Sequence, residues 1–204
     1  MPITSAGGFA VFALCCAVAL SAVSELGAAP VPAAQAPVAK APAAQHPAGC
    51  LATGNGFLRA KIRGAMNLDI DWHNAEIECQ GGARPNGSGL RVSFAGPLRS
   101  DGRRLRMVFG VGTATEGRPG KALPTNLTVI FEGEQRLYAT RGQDKCTVDD
   151  LQQERFGALG GNVRTYRITA RGFCISPATT LDDGARILVS SFDFAGRIAF
   201  GDED

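Results

Sequence analysis

The sequence predicts an antiparallel all-β domain, and three observations lead to that fold class. Apolar and polar residues alternate with a period of two through almost all of residues 50–204. Stretches rich in Gly, Pro, Asn and Asp separate the alternating runs, as turns between strands do. Four cysteines lie in this part of the chain, a number typical of exported domains that disulfides stabilise. Together these features favour a β-sandwich over a barrel, with at most one short helix.

The alternating runs define eight or more short strands. Their apolar positions are, in order, Leu58, Ala60 and Ile62; Met66, Leu68 and Ile70; Leu90, Val92 and Phe94; Leu105, Met107, Phe109 and Val111; Leu127, Val129 and Phe131; and Tyr166, Ile168 and Ala170. Glu132-Gly133 leads into residues 136–140, which predicts a β-hairpin. Residues 185–200 are long enough for a bent strand, or for two strands hinged at Ala195-Gly196. The one predicted helix begins with Asp149 as a cap and ends at Phe156.

The composition is that of a globular protein. The chain has 204 residues, of which 45% are hydrophobic and 20% charged, and this excludes a disordered, collagenous or coiled-coil protein. Its 21 basic and 19 acidic residues give a net charge of +2, too small for a general nucleic-acid binder. We therefore predict no nucleic-acid partner. The excess of Arg over Lys, with many Ala and Gly residues, favours a bacterial source.

Residues 1–49 carry the features of an export signal and a tether. Residues 9–23 form an apolar run of 15 residues, which suits a signal-peptide core and is shorter than a membrane span of about 20 residues. We interpret residues 1–27 as a signal peptide, with an uncleaved membrane anchor as the alternative. Residues 28–49 are an Ala/Pro-rich tether, because its prolines prevent a regular helix. The mature chain is then expected to have no transmembrane span and to be secreted or periplasmic, either free or associated with the cell envelope.

The cysteines of residues 50–204 predict two disulfides. They are Cys50, Cys79, Cys146 and Cys174, and three pairings are possible. We favour the two pairings between consecutive cysteines, because each would join nearby strands. A zinc site is the competing interpretation, but it requires a close Cys-x-x-Cys spacing, which this part of the sequence lacks.

Residues 50–204 lack the motifs of common catalytic sites. They contain one histidine, His73, and no Gly-x-Ser-x-Gly elbow that would present a serine to it. His73 and the nearby Asp71 are the weak catalytic candidates. Phosphate-binding glycine loops are absent, and aspartate pairs such as Asp69 with Asp71 are interpreted as solvated or turn residues rather than calcium ligands. We predict no cofactor and no metal site.

Two surface features are candidates for binding. Arginines recur at outward positions of several predicted strands and would form a basic face if those strands were neighbours. They are Arg59, Arg63, Arg104, Arg106, Arg167 and Arg171. Trp72 could stack on a sugar ring, with Tyr138 and Tyr166 as further candidates. The competing interpretation pairs the arginines with acidic residues of adjacent strands and places the aromatic residues in the core.

The leading hypothesis is an exported, non-catalytic module. It would bind an envelope glycan, an anionic surface or a protein partner through a binding set of Trp72, Arg104, Arg106, Arg167 and Arg171. The export signal and the missing catalytic motifs motivate this hypothesis. One alternative is a small secreted hydrolase that acts on a glycan or an ester. Another is a structural component of an envelope complex, with edge strands supplying the contacts.

Overall fold

Eleven β-strands and one 3₁₀ turn form the part of the chain that the structure, a computed structural model, describes. The described residues are 49–201 without positions 86, 135, 159–161 and 183, so the predicted signal peptide and all of the tether except Gly49 lie outside them. The strands are β1 (Phe57–Gly64), β2 (Leu68–His73), β3 (Glu78–Ala83), β4 (Leu90–Ala95), β5 (Arg104–Val111), β6 (Gly120–Glu132), β7 (Arg136–Ala139), β8 (Cys146–Ala158), β9 (Arg164–Cys174), β10 (Ala178–Thr179) and β11 (Arg186–Phe200); the 3₁₀ turn is Asn74–Glu76. The predicted all-β fold is confirmed.

Hydrogen bonds join all the strands into one antiparallel sheet. One path through the sheet runs β2-β1-β11-β10-β7-β6-β5-β4-β3. A second path also links β6 with β11, because β8 pairs with both β6 and β9, and β9 pairs with β11. The sheet therefore folds over a single apolar core, as in a sandwich whose two layers are continuous.

The long strand β11 is single, although the sequence also allowed a hinged pair. Residues 187–195 pair with β1, and residues 192–200 pair with β9. Gly196, the predicted hinge, lies within this regular pairing. A Cβ at Gly196 would lie 2.7 Å from Cζ of Phe94, so the glycine is required by close packing. The predicted hairpin of β6 and β7 is confirmed, with Phe131 opposite Arg136.

The predicted helix from Asp149 to Phe156 is wrong. These residues belong to β8, which pairs with β6 on one side and with β9 on the other. The register of β8 shifts between Val148 and Asp150, so Asp149 is the extra residue of a β-bulge. The bulge brings Val148 and Leu151, both fully buried, to the same face at a spacing of three. That spacing is typical of a helix, which explains the error.

A cluster of phenylalanines fills the core between the two layers. Phe192 and Phe194 of β11 contact Phe109 of β5 at centroid distances of 4.8 and 5.0 Å, and Phe194 lies 5.0 Å from Phe94 of β4. None of these four side chains is more than 2% exposed. Buried aromatic pairs in tilted arrangements stabilise a core beyond the area that they bury.

The two disulfides are Cys50–Cys79 and Cys146–Cys174, the favoured pairing. Cys146 and Cys174 lie directly opposite each other on β8 and β9. The Cys50–Cys79 bond ties Cys50, near the start of the described residues, to β3. These disulfides are compatible with an exported protein. Within the described ranges, no helix is long and apolar enough to cross a membrane.

Candidate functional site

A groove of about 300 Å³ lies between β2 and the paired strands β5 and β6. Leu68, Ile70 and Trp72 line one wall, since alternate residues of a strand point to the same face. Leu105 and Phe131 line the opposite wall. Charged residues surround these apolar walls: Asp69, Arg99, Arg103, Arg104, Glu132 and Glu134. We call this feature the Trp72 groove.

Trp72 occupies the groove because residue 96 has no side chain. A Cβ at Gly96 would lie 2.4 Å from Cη2 of the indole ring, which is far inside van der Waals contact. The backbone N–H of Gly96 donates to the carbonyl of Leu105 at 2.9 Å, which fixes the chain beneath the ring. Trp72 is half-buried and packs against the core. One part of the ring is thus held in place while another lines the groove.

A single carboxylate holds Arg104 and Arg106 together. Both arginines lie on β5, and the Nε of each donates to Glu132 of β6. Arg104 also pairs with Glu78 at 3.1 Å, and Arg106 donates to the hydroxyl of Ser93 at 3.1 Å. The two arginine side chains are 20% and 17% exposed. These two members of the predicted binding set are therefore engaged within the protein.

The contacts of this arginine network keep its groups ionised. The hydrogen bond to Glu132 raises the pKa of Arg104 above its ordinary value. Burial alone would raise the pKa of Glu132, but the hydrogen bonds from Arg106 and Arg104 outweigh burial and hold that pKa below its ordinary 4.5. At neutral pH, Glu132 is therefore a fixed negative charge and is poorly suited to serve as a general acid.

The predicted arginines do not form one basic face. Arg59 pairs with Asp71 at 3.0 Å and Arg63 with Asp69 at 2.7 Å, in both cases between β1 and β2. Arg171 belongs to a row of directly opposed residues whose charge alternates across six strands. In order, that row is Lys121, Asp150, Arg171, Asp193, Arg59 and Asp71. Alternating charges across neighbouring strands stabilise the sheet and leave no net positive field along this row.

His73 and Asp71 lie outside the groove. Both are exposed. Because side chains alternate along a strand, they lie on the face of β2 opposite to Trp72. The carboxylate of Asp71 is bound to Arg59, and the backbone N–H of His73 donates to Glu76 at 2.8 Å. Across the described residues, no group of three or more His, Cys, Asp and Glu side chains could hold a metal ion.

The remaining aromatic candidates pack in the core. Tyr138 is 2% exposed and Tyr166 is 8% exposed, so neither offers a ring face for stacking. Tyr138 contacts Phe131 edge-on at a centroid distance of 6.0 Å. Sequence reasoning missed Leu105 and Phe131 as groove residues, because both fit the core-facing alternation of their strands. The one available signal was Gly96-Pro97, a turn dipeptide that directly follows the alternating run of β4.

Comparisons of the chain with protein-family models, with curated proteins and with solved structures find no match. The function is therefore inferred from the residues themselves. The feature that stands out among them is the Trp72 groove, which combines apolar walls, a fixed aromatic ring and a charged rim.

Because Trp72 packs against Gly96, adding one methyl group at residue 96 should change the position of the indole. Gly96→Ala should displace the indole and shift the fluorescence of Trp72, the chain's one tryptophan, towards longer wavelength. Gly157→Ala is the matched control, because a Cβ there meets nothing within 4 Å, and it should leave the emission unchanged. An unchanged emission spectrum in Gly96→Ala would show that the indole does not rest on residue 96.

The arginine network predicts a pH-dependent contribution to stability. Glu132→Gln should lower the free energy of unfolding by about 1–2 kcal/mol at pH 7, because charge-assisted hydrogen bonds to two part-buried arginines are lost. Since the fold lowers the pKa of Glu132, the stabilisation is fully present above the ordinary value of 4.5 and is lost as the pH falls through the lower, folded value. The difference between wild type and variant should therefore shrink below about pH 4.5.

Urea unfolding at several pH values measures this difference. Asp144→Asn is a suitable control, because Asp144 forms a surface pair with Lys145 and its side chain is 71% exposed. This control should change the stability little at any pH. A difference for Glu132→Gln that is constant with pH would contradict the proposed role of the ionised carboxylate.

Proposed function

We propose that the protein is an exported, non-catalytic module that binds an apolar segment of a protein partner in the Trp72 groove. The observation that carries this proposal is the nature of the groove, whose walls are apolar while its charged neighbours largely satisfy one another. Glu132 is shared by Arg104 and Arg106, and Glu134 pairs with Arg103 at 3.2 Å. Few charged groups remain to bind a polar ligand, whereas the apolar walls gain free energy when covered.

The exposure of Leu68 supports a partner that covers the groove. Leu68, the first residue of β2, is 38% exposed and lies in the same wall as the half-buried Trp72. Aromatic and aliphatic side chains in a shallow pocket are typical of the centre of a protein interface, and charged residues are typical of its rim. The described groove has both parts.

The site of action that we propose is an oxidising compartment, either the periplasm or the outside of the cell. Two disulfides support this location, since such bonds persist where thiols are not kept reduced. The predicted signal peptide and tether of residues 1–49 would bring the module there and hold it near the envelope. Because His73 and Asp71 lie outside the groove, a binding role is favoured over the hydrolase alternative.

A glycan is the second candidate ligand, and the position of Trp72 favours it. An indole ring fixed from one side offers a flat surface on which a sugar ring can stack. The rim arginines that face solvent, such as Arg99, could donate to hydroxyl or carboxyl groups of an envelope polymer. The two candidates differ in which groove residues matter, because a stacked sugar depends on Trp72 more than on Leu68.

Titration of the Trp72 fluorescence tests both candidates. We expect peptides that carry an aromatic or a branched aliphatic side chain to change the emission saturably. Leu68→Asp should weaken that binding at least tenfold, because it removes apolar contact and buries an unpaired carboxylate under the ligand, and about 1.4 kcal/mol corresponds to a factor of ten. Leu181→Asp is the matched control, since Leu181 is 79% exposed and does not line the groove.

Two results would count against a protein partner. Saturable binding of soluble peptidoglycan fragments, without binding of any peptide, would replace it with the glycan. An equal loss of peptide binding in Leu68→Asp and Leu181→Asp would show that the groove is not the site.

A further inference from the structure

The alternation of charge on the outer face of β8, β9 and β11 breaks at one row. Between these strands, Asp150, Arg171 and Asp193 are directly opposed and alternate in sign. Two residues further along each strand the row is uncharged. The next row holds Glu154, Arg167 and Arg197, so two arginines lie directly opposite each other on β9 and β11. Directly opposed like charges destabilise a strand pair unless a counter-charge lies between them.

Within the described residues, no ion pair supplies that counter-charge. Neither Arg167 nor Arg197 has a carboxylate within the 4 Å of an ion pair there, unlike the two arginines of β5. Glu154, the neighbour of Arg167 on β8, is exposed and makes no such pair. Both arginines are half-buried, so water screens their repulsion less than it would on an open surface.

Buried donors without acceptors lie at the same place. The Nε of Arg167 and the hydroxyl of Thr165 are both buried and, among the described residues, have no hydrogen-bond partner. Thr165 lies two residues before Arg167 and therefore points to the same face of β9. Buried polar groups are nearly always satisfied, and an isolated pair of unsatisfied donors at one site calls for an acceptor.

A cavity gives a ligand access to Arg197, although neither Arg167 nor Thr165 lines that cavity. Arg197 lines a cavity of about 550 Å³ that Gly96 and Arg104 also line, beside the Trp72 groove. Two acidic residues line the same cavity, but each has a partner other than Arg197. Glu76 accepts from the backbone N–H of His73, and Glu78 pairs with Arg104. Among the described residues, neither carboxylate forms an ion pair with Arg197.

We propose that Arg167 and Arg197, with the hydroxyl of Thr165, form a binding site for an oxyanion group, a phosphate or a carboxylate. Guanidinium groups bind such oxygens through paired, charge-assisted hydrogen bonds. The bound oxyanion would separate the two like charges and would accept from the buried donors. This site is distinct from the apolar walls of the Trp72 groove, so either site can fail without the other.

Thermal unfolding of the full, oxidised chain in inorganic phosphate tests the proposal. Phosphate should raise the melting temperature above that measured in sodium chloride of equal ionic strength, because binding to the folded state stabilises it. Arg197→Gln should weaken phosphate binding at least tenfold. It should also raise the melting temperature in the absence of phosphate, because it removes one of the two opposed charges.

Arg171→Gln is the matched control. Arg171 lies on the same face of β9 as Arg167 but between two aspartates, so its loss should leave phosphate binding unchanged and should not stabilise the protein. Equal phosphate binding by wild type and Arg197→Gln would overturn the proposal, as would equal loss in both variants.

A second experiment distinguishes the sources of the oxyanion. Co-sedimentation with vesicles of anionic phosphatidylglycerol, compared with neutral phosphatidylcholine vesicles, measures binding to a lipid headgroup. Binding of vesicles that depends on Arg197, with weak binding of free phosphate, would support the site and assign it to a surface. The absence of any oxyanion effect in both experiments would overturn the site.

Discussion

The fold depends on two long strands that each serve both layers of the sheet. β6 pairs with β5, β7 and β8, and β11 pairs with β1, β9 and β10. Because each strand changes partners along its length, its ends belong to different parts of the sheet. The interior phenylalanines of β11 then meet those of β4 and β5 in one core. The two disulfides add covalent links to this arrangement, whereas the pairing of β6 and β11 with their neighbours joins the layers.

The Trp72 groove lies at the margin of this framework. β2 pairs with β1 alone among the described strands, and its apolar residues extend beyond the core into the groove. The opposite wall belongs to β5 and β6, which are paired on both sides. An edge strand that faces strands paired on both sides suits a site that must accept a ligand, and the position of Trp72 is fixed by its contact with Gly96.

The sequence alone predicts much of the fold and part of the candidate site. Alternation reveals the strands because one face of the sheet is buried, and the helix prediction fails where the bulge at Asp149 interrupts that alternation. Trp72 is predicted as a binding residue because its aromatic ring could stack on a sugar, and it lines the groove. The pairing of Arg171 with aspartates, and of Arg167 with Arg197, could not be predicted, because it depends on the register between strands far apart in the sequence.

Amide hydrogen exchange of the full, oxidised protein tests the central claim, that β6 and β11 hold the fold together while β2 carries the groove at its margin. Amides in the core-facing part of β11, residues 192–198, should exchange only by global unfolding and should be the slowest in the chain together with those of β6. Amides of β2 should exchange faster, through local opening of the edge. Exchange of residues 192–198 at the rate of residues 68–73 would contradict this account of the structure.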